Sequence, residues 1–139
     1  MNFLANTRVI QDLWILSDAG LLLYKRIYDE KIDAQMYGSL MSALISFTQE
    51  IIEGGLKTIE LDFIRFTVLK VSDFLFVANS SKKIKEKKVQ EELRKISEKF
   101  FNLYSIDWIK HEWKNEPRDF EDFGKEIKDS FMQEKKIIN

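Results

Sequence analysis

The sequence predicts an α/β fold built on a five-stranded, mainly antiparallel sheet, with the element order β-β-α-β-β-β-α-α. Two apolar runs flank a turn near the N-terminus, three more short runs follow mid-chain, and longer stretches repeat apolar residues at steps of three and four. Two of the strands are apolar at successive positions, which requires cover on both faces of the sheet. We therefore expect one helix on one face and two on the other, in a single domain over 1–139 with a core over about 9–131.

The first two strands are predicted as a hairpin within "VIQDLWILSDAGLLLYKRIY", Val9 to Tyr28. The turn falls at Asp18-Ala19-Gly20, where Asp can begin a turn and Gly supplies a positive φ. The first strand is apolar at every position from Leu13 to Leu16, so we expect it to be central. The second ends in the more amphipathic YKRIY and should lie nearer an edge.

A first helix is predicted between Asp33, a suitable N-cap, and Gly54-Gly55, which we interpret as a structural stop. Three short strands should follow it as a meander. They are expected at about 58–62, 65–71 and 74–79, with turns at 62–64 and 72–73. The last strand is apolar at every position from Phe74 to Ala78, so it should be central as well.

Two further helices complete the predicted domain. The second and longest covers 82–104, where the apolar residues at steps of three and four are Val89, Leu93, Ile96, Phe100 and Leu103. A short aromatic link through Trp108 and Trp113 leads to Pro117, which is favoured in a first helical turn. The third helix begins there and repeats apolar residues up to Phe131.

The composition argues against several classes of function. The chain has no cysteine, which rules out disulfides, thiolate metal sites and thiol nucleophiles and fits a cytoplasmic location. Its net charge of −1 gives no global attraction to nucleic acid or anionic lipid. We find no signal peptide and no run of about eighteen apolar residues, so we expect no membrane span.

Several features together resemble the longin domain, a relative of the roadblock and profilin-like folds. They are the element order, the opening WILSDAGLLLYKR, a helix containing Ser42-Ala43, the three-strand meander and a later helix ending in FFNLY. The resemblance covers roughly Val9 to Phe131. Longin domains are non-catalytic modules of membrane-trafficking proteins, vesicle-fusion proteins, adaptor subunits and heterodimeric exchange factors for small GTPases. Vesicle-fusion members continue into a coiled-coil segment and a membrane anchor, and the sequence leaves no room for these after the third predicted helix. We therefore expect a free-standing module that acts through partners, with an archaeal source as one option.

No motif for catalysis or phosphate binding is present. Neither G-x-x-x-x-G-K-[ST] nor G-x-G-x-x-G occurs, so the chain is not itself a GTPase. His111 is the only histidine, and we interpret it as an interhelical surface residue, since zinc or Ser-His-Asp chemistry would need more partners. Four carboxylates suit the dipole at the start of the third helix, and they are Glu116, Asp119, Glu121 and Asp122. We predict a protein that is not an enzyme and uses no metal or cofactor.

A lysine-rich run stands where the second helix is predicted to begin, a position at which the helix dipole disfavours cations. Its five lysines are Lys82, Lys83, Lys85, Lys87 and Lys88. One interpretation is a local contact with lipid headgroups or with an acidic protein patch. The other is a solvated lysine-rich face. Binding to RNA is not expected, because no aromatics or arginines are interleaved with the lysines.

The first helix contains fifteen uncharged residues, Gln35 to Gln49, in a chain of which 32% is charged. An apolar stripe that should face the sheet consists of Met36, Leu40, Ala43, Leu44, Phe47 and Ile51. A second apolar shoulder consists of Tyr37, Met41, Ile45, Thr48 and Ile52. The remaining back is small or neutral and consists of Gln35, Gly38, Ser39, Ser42, Ser46 and Gln49. Stripe and shoulder span roughly 200°, about twice an ordinary apolar stripe, so sheet packing alone does not account for them.

We predict a protein-protein interface on this helix and on the adjoining third strand as an exposed edge. Gly38, Ser42 and Ser46 recur every four residues, which lets another backbone approach closely. The predicted interface residues are Tyr37, Gly38, Met41, Ser42, Ile45, Ser46, Gln49, Ile59 and Leu61. Longin and roadblock relatives pair through such surfaces, so the resemblance implies a homodimer or a heterodimer with a like domain, and a small GTPase as a further partner.

Two alternatives stay open. The helix could be covered within its own domain, for instance by Phe3 and Leu4. The domain could also be a small-molecule sensor of PAS or GAF type, which would need a pocket between sheet and helix with a few converging polar groups.

Overall fold

The structure, a computed structural model, describes residues 9–27, 39, 42–44, 46, 50–61 and 64–128, and for Leu61 and Ile64 it describes the backbone only. The strands are β1 (Asp12–Ser17), β2 (Leu22–Ile27), β3 (Leu56–Leu61), β4 (Ile64–Val71) and β5 (Phe74–Ser81). Residues 39, 42–44 and 46 are helical and belong to the first predicted helix, named α1. The later helices are α2 (Glu86–Leu103), α3 (Ile106–His111) and a 3-10 helix (Pro117–Glu126).

The strands form one five-stranded antiparallel sheet in the order β2-β1-β5-β4-β3. The central positions predicted for β1 and β5 are confirmed, and β2 and β3 are the two edges. Burial explains this order, because Trp14 of β1 and Val77 of β5 are fully buried on one face while their neighbours Leu13 and Phe76 are fully buried on the other.

Each face of the sheet carries its own core. The larger core includes Leu13, Ile15, Phe76, Val89, Ile96, Phe100, Phe120 and Phe123, and it joins the sheet to α2, α3 and the 3-10 helix. The smaller core consists of Trp14, Leu16, Leu44, Ile51, Phe66, Val68, Leu75 and Val77. Leu44 belongs to α1, so α1 lies on one face and the later helices lie on the other. The predicted arrangement of layers is confirmed.

The C-terminal helices depart from the prediction in two ways. The element that begins at Pro117 is a 3-10 helix that ends at Glu126, rather than an α-helix; Lys128 is helical again, and the predicted continuation to Phe131 lies outside the described residues. In a 3-10 helix residues three apart align, which places Phe120 and Phe123 together in the aromatic core. Within the predicted aromatic link lies the additional helix α3, whose N-cap Ser105 accepts a hydrogen bond from the Trp108 amide at 3.2 Å.

Several element boundaries also differ from the prediction, by one or two residues in the last three strands and by four at the start of α2. Strand β3 begins at Leu56, two residues early, because the Gly55 carbonyl accepts a hydrogen bond from the Lys70 amide and extends the pairing with β4. Helix α2 begins at Glu86, so the first three lysines of the run precede it. Gly54 and Gly55 lie in a turn after α1, where Gly54 has a φ of +73° and a Cβ on Gly55 would lie 2.8 Å from the Ile52 carbonyl oxygen; their role as the stop of α1 stays a prediction, because residues 47–49 are outside the described ones.

Candidate interaction surface

The described residues of α1 have two different sides. Leu44 is only 1% exposed and packs on the sheet, whereas Ser39, Ser42 and Ser46 are exposed. The Ser46 hydroxyl donates a hydrogen bond to the Ser42 carbonyl oxygen at 3.1 Å, which satisfies it along the helix itself. At these four positions the structure agrees with the predicted sides of the helix: Leu44 of the stripe is buried, and the three serines of the back are exposed.

The segment after α1 is tied to the sheet and presents an apolar side chain to solvent. The Gly54 amide donates to the Lys70 carbonyl at 2.8 Å, and the Glu53 carboxylate accepts the Ser72 amide at 2.8 Å. Ile51 is buried in the smaller core, but the next residue, Ile52, is 77% exposed. Ile52 belongs to the predicted apolar shoulder but was not included in the predicted interface set, and its exposure adds it to the candidate surface.

Strand β3 lies at the edge of the sheet next to this segment. It pairs with β4 along its inner side, and no described element pairs with its outer side. Ile59 is half-buried and packs against the smaller core, Glu60 is exposed, and Lys57 forms an ion pair with Glu50 at 3.4 Å. The edge position of β3 confirms the prediction, while the role of Ile59 in an interface stays a prediction.

Part of the predicted interface falls outside the described residues. This applies to Tyr37, Gly38, Met41, Ile45 and Gln49, and to the side chain of Leu61. Phe3 and Leu4, which the alternative of an internally covered helix invokes, are also outside them. That alternative therefore stays open for the undescribed part of the helix.

The lysine run forms an ordered turn that leads into α2. Arg65, only 6% exposed, donates to the Ile84 carbonyl at 2.7 Å and to the Lys82 carbonyl at 3.2 Å. Glu60 lies 3.5 Å from the Arg65 guanidinium and 3.7 Å from the Lys82 ammonium. The five lysines themselves are exposed, namely Lys82, Lys83, Lys85, Lys87 and Lys88.

The residues considered for catalysis are surface residues. His111 is exposed at the end of α3, and within the described ranges no three His, Asp or Glu side chains are close enough to hold a metal. Of the four carboxylates, Glu116 pairs with Arg118 at 2.8 Å and Asp122 with Lys125 at 3.7 Å. All four carboxylates are exposed around the 3-10 helix.

Two cavities lie around α3, and neither separates α2 from the sheet. One, of about 150 Å³, lies between α3 and the turns that join β1 to β2 and β4 to β5, with Leu23 and Phe74 among its apolar lining. At its rim Lys110 bonds Asp73, and this hydrogen bond is the main cause that raises the pKa of Lys110. The other is lined by Leu103, Tyr104, Ser105, Trp108 and Asp119. The sensor alternative, which expects a pocket between sheet and helix, stays a prediction.

A buried polar pair, which was not predicted from the sequence, links β1 and β5. Asn79 accepts a hydrogen bond from the Asp12 amide at 2.7 Å and donates one to the Asp12 carboxylate at 2.8 Å. The two residues face each other in the sheet, and both are almost completely buried. They hold the register of the two central strands, which is a structural role.

Comparison with known proteins shows the fold. No protein-family profile matches the sequence, and no curated protein sequence matches it. Among solved structures the chain is similar to MglB of Myxococcus xanthus, with a TM-score of 0.55 and 14% sequence identity over 68% of this chain and 83% of that one. The sheet order, the helices on both faces and this likeness define a longin-like α/β fold. No described helix has the length and apolar character needed to cross a bilayer.

Proposed function

We propose that the protein is a non-catalytic interaction module of the cytoplasm that binds or regulates a small GTPase, or serves as a subunit of a trafficking-type complex. Its contact surface is α1 together with Ile52 and the outer edge of β3. We further propose that this surface pairs with a second copy or with a like domain.

The observation that carries the proposal is the exposed serine side of α1. Ser39, Ser42 and Ser46 are exposed where a solvated helix usually carries charge, and removing a small hydroxyl from water costs far less than removing a charge. Ser42 and Ser46 also lie one turn apart, which allows a second helix backbone to approach. Such a surface is suited to burial against a partner.

Two neighbouring features extend this surface. Ile52 offers exposed apolar area at one end of it, and burying apolar side chains is the main favourable term in association. The outer side of β3 offers main-chain donors and acceptors that a further strand can pair with. An ordinary stable interface buries roughly 800 Å² per partner, so we expect both the helix and the edge strand to take part.

The class of partner is proposed from the fold. The longin-like architecture supports the resemblance to longin domains, which are non-catalytic parts of trafficking complexes and of exchange factors for small GTPases. The absence of a phosphate-binding glycine motif from the sequence fits a protein that acts on a GTPase rather than one that is a GTPase.

A binding experiment with purified small GTPases tests the proposal. The immobilised full chain is presented with a panel of them, each loaded with GDP or with a non-hydrolysable GTP analogue. We expect retention of at least one GTPase and its loss with Ser42→Arg. Asn102→Arg, an exposed residue of α2 on the other face of the sheet, adds the same charge and should leave retention unchanged.

Nucleotide-exchange kinetics then separate a regulator from a scaffold. Release of a fluorescent guanine nucleotide from the retained GTPase should accelerate if the chain promotes exchange and stay constant if it only scaffolds. If every GTPase of the panel fails to bind in both nucleotide states, the GTPase form of the proposal is wrong.

A further inference from the structure

The lysine run is a compact basic patch on a protein that is almost neutral overall. Residues 82–88 hold five lysines and one glutamate, whereas the whole chain has a net charge of −1. Lys82 has an ion-pair partner in Glu60. Over the described ranges, no ion pair involves the other four lysines, Lys83, Lys85, Lys87 and Lys88.

A buried arginine fixes the backbone beneath these lysines. Arg65 binds the carbonyl oxygens of Lys82 and Ile84, and the Ser81 hydroxyl accepts the Lys83 amide at 3.1 Å. The turn is thereby held from beneath while its lysine side chains face solvent. A preorganised turn loses less conformational entropy on binding than a free one.

Helix stability does not explain why lysines occupy this position. The N-cap of α2 is Lys85, which makes no side-chain capping bond, although Ser, Thr, Asp or Asn would cap the helix better. Lys87 and Lys88 stand in the first turn, where the helix dipole disfavours positive charge. The run therefore carries an electrostatic cost within the fold.

We propose that this lysine patch docks the protein onto an anionic membrane surface. Lysine ammonium groups attract negative charge without the bidentate geometry through which arginine recognises a single carboxylate or phosphate. Lys87 and Lys88 project from α2 about 100° apart, and all five lysines are exposed, so their charges are spread over the surface. A spread set of point charges suits a laterally fluid layer of headgroups better than one fixed acidic site on a protein.

Membrane contact at this patch would orient the candidate interaction surface. Strands β3 and β5 run in the same direction, because each is antiparallel to β4, so the end of β3 and the lysine turn lie at the same end of the sheet. The contact between Lys82 and Glu60 joins the two directly. The C-terminal end of β3 would then lie near the membrane, and the rest of its outer edge would extend away from the membrane, open to a partner.

Vesicle co-sedimentation of the full chain tests this proposal independently of any GTPase. The probes are phosphatidylcholine vesicles with and without about 30% phosphatidylserine, at about 50 mM and about 500 mM salt. We expect binding to the anionic vesicles only, and its loss at high salt. Each lysine near an anionic leaflet raises partitioning roughly fivefold, so Lys83→Glu with Lys87→Glu should lower it at least twentyfold.

A matched control separates the patch from net charge. Lys95→Glu with Lys114→Glu changes the net charge by the same amount at exposed sites outside the patch and should keep most of the binding. Lys83→Gln with Lys87→Gln, which adds no negative charge, should lower binding less than the glutamate pair does. Circular dichroism checks that each variant is folded, and if a glutamate variant unfolds, the glutamine pair decides.

Four results would overturn the proposal. They are no binding to anionic vesicles at low salt, equal binding to neutral vesicles, an equal loss in the control pair, and tight binding to polyglutamate in place of vesicles. The last result would assign the patch to an acidic protein instead. None of these results depends on the GTPase experiment, so either proposal can fail alone.

Discussion

The two edges of the sheet differ in how the chain treats them. The 3-10 helix covers side chains of the β2 edge: Tyr24 packs edge-on against Phe123 with ring centroids 5.4 Å apart, and Arg26 donates to the Gly124 carbonyl at 3.2 Å. Along β3, no described element pairs with the outer side. Open edges invite unwanted strand pairing. The chain packs its own 3-10 helix against side chains of one edge, so the other edge, which carries Lys57 and Glu60, is the one better suited to a partner.

The largest expected effect concerns the aromatic core that holds the covered edge. Phe100 is fully buried and packs against Phe76, Phe120 and Phe123 at centroid distances of 5.8, 5.4 and 5.0 Å. Phe100→Ala should lower the free energy of unfolding by about 3–5 kcal/mol, measured by urea denaturation. The half-buried Phe101 is the control, and Phe101→Ala should cost clearly less. Equal losses would contradict the central place of Phe100.

A smaller effect tests the contact between the 3-10 helix and β2. A Cβ on Gly124 would lie 3.0 Å from the Tyr24 hydroxyl oxygen, so Gly124→Ala should destabilise the protein by about 1 kcal/mol. In a Tyr24→Phe background the hydroxyl is gone, and the same substitution should cost almost nothing. A double-mutant cycle by urea denaturation measures this coupling. If the losses of unfolding free energy from the two substitutions are additive, Gly124 does not contact the Tyr24 hydroxyl as described.

The N-terminus of α2 offers a change of similar size and opposite sign. Lys85→Ser supplies a capping hydroxyl and removes a cation from the positive end of the helix dipole, so it should stabilise the fold by roughly 0.5–1 kcal/mol. The same substitution should weaken binding to anionic vesicles. The midpoint of thermal unfolding and vesicle co-sedimentation measure the two effects. A variant that is less stable and binds vesicles as before would contradict the view that function selects the lysine.

The smallest effect is on alkaline stability at the covered edge. Burial raises the pKa of Tyr24, against the opposing effect of Arg26. The folded state therefore keeps the phenol proton more tightly than the unfolded state does. This contribution is complete below pH 10.0, the ordinary tyrosine pKa, and is lost as the pH rises through the higher pKa of the folded state. Tyr24→Phe should make the fall in stability above about pH 10 shallower in denaturant titrations, and an unchanged slope would assign that fall to other groups.

The parts of this architecture that depend on local pattern could be predicted from the sequence. Apolar runs on both faces of a strand indicated that β1 and β5 are central, and the helical period placed Leu44 towards the sheet and Ser42 away from it. Features set by distant contacts could not be predicted in this way. The start of α2 depends on Arg65, which lies 17 and 19 residues from the carbonyl groups it binds, and the Asp12–Asn79 pair spans 67 residues.

For the candidate surface, the sequence indicates which side of α1 is exposed but not every side chain that lies on it. Periodicity marks which side of a helix is unusual, but it cannot show which apolar side chain stays exposed after packing. Ile51 and Ile52 have the same chemistry, and only the backbone path after α1 makes the first buried and the second exposed. Helix α3 has a local signal in Ser105, a suitable N-cap three residues before Trp108, although no helix was predicted there.

Sedimentation velocity of the full chain at rising concentration tests the central claim, pairing through α1 and β3, most directly. We expect the wild type and Asn102→Arg to reach a dimer. Ser42→Arg should remain a monomer with its free energy of unfolding changed by less than about 0.5 kcal/mol, because Ser42 is exposed. A wild type that stays monomeric at the highest concentration would contradict self-pairing, and a dimeric Ser42→Arg variant would contradict this surface.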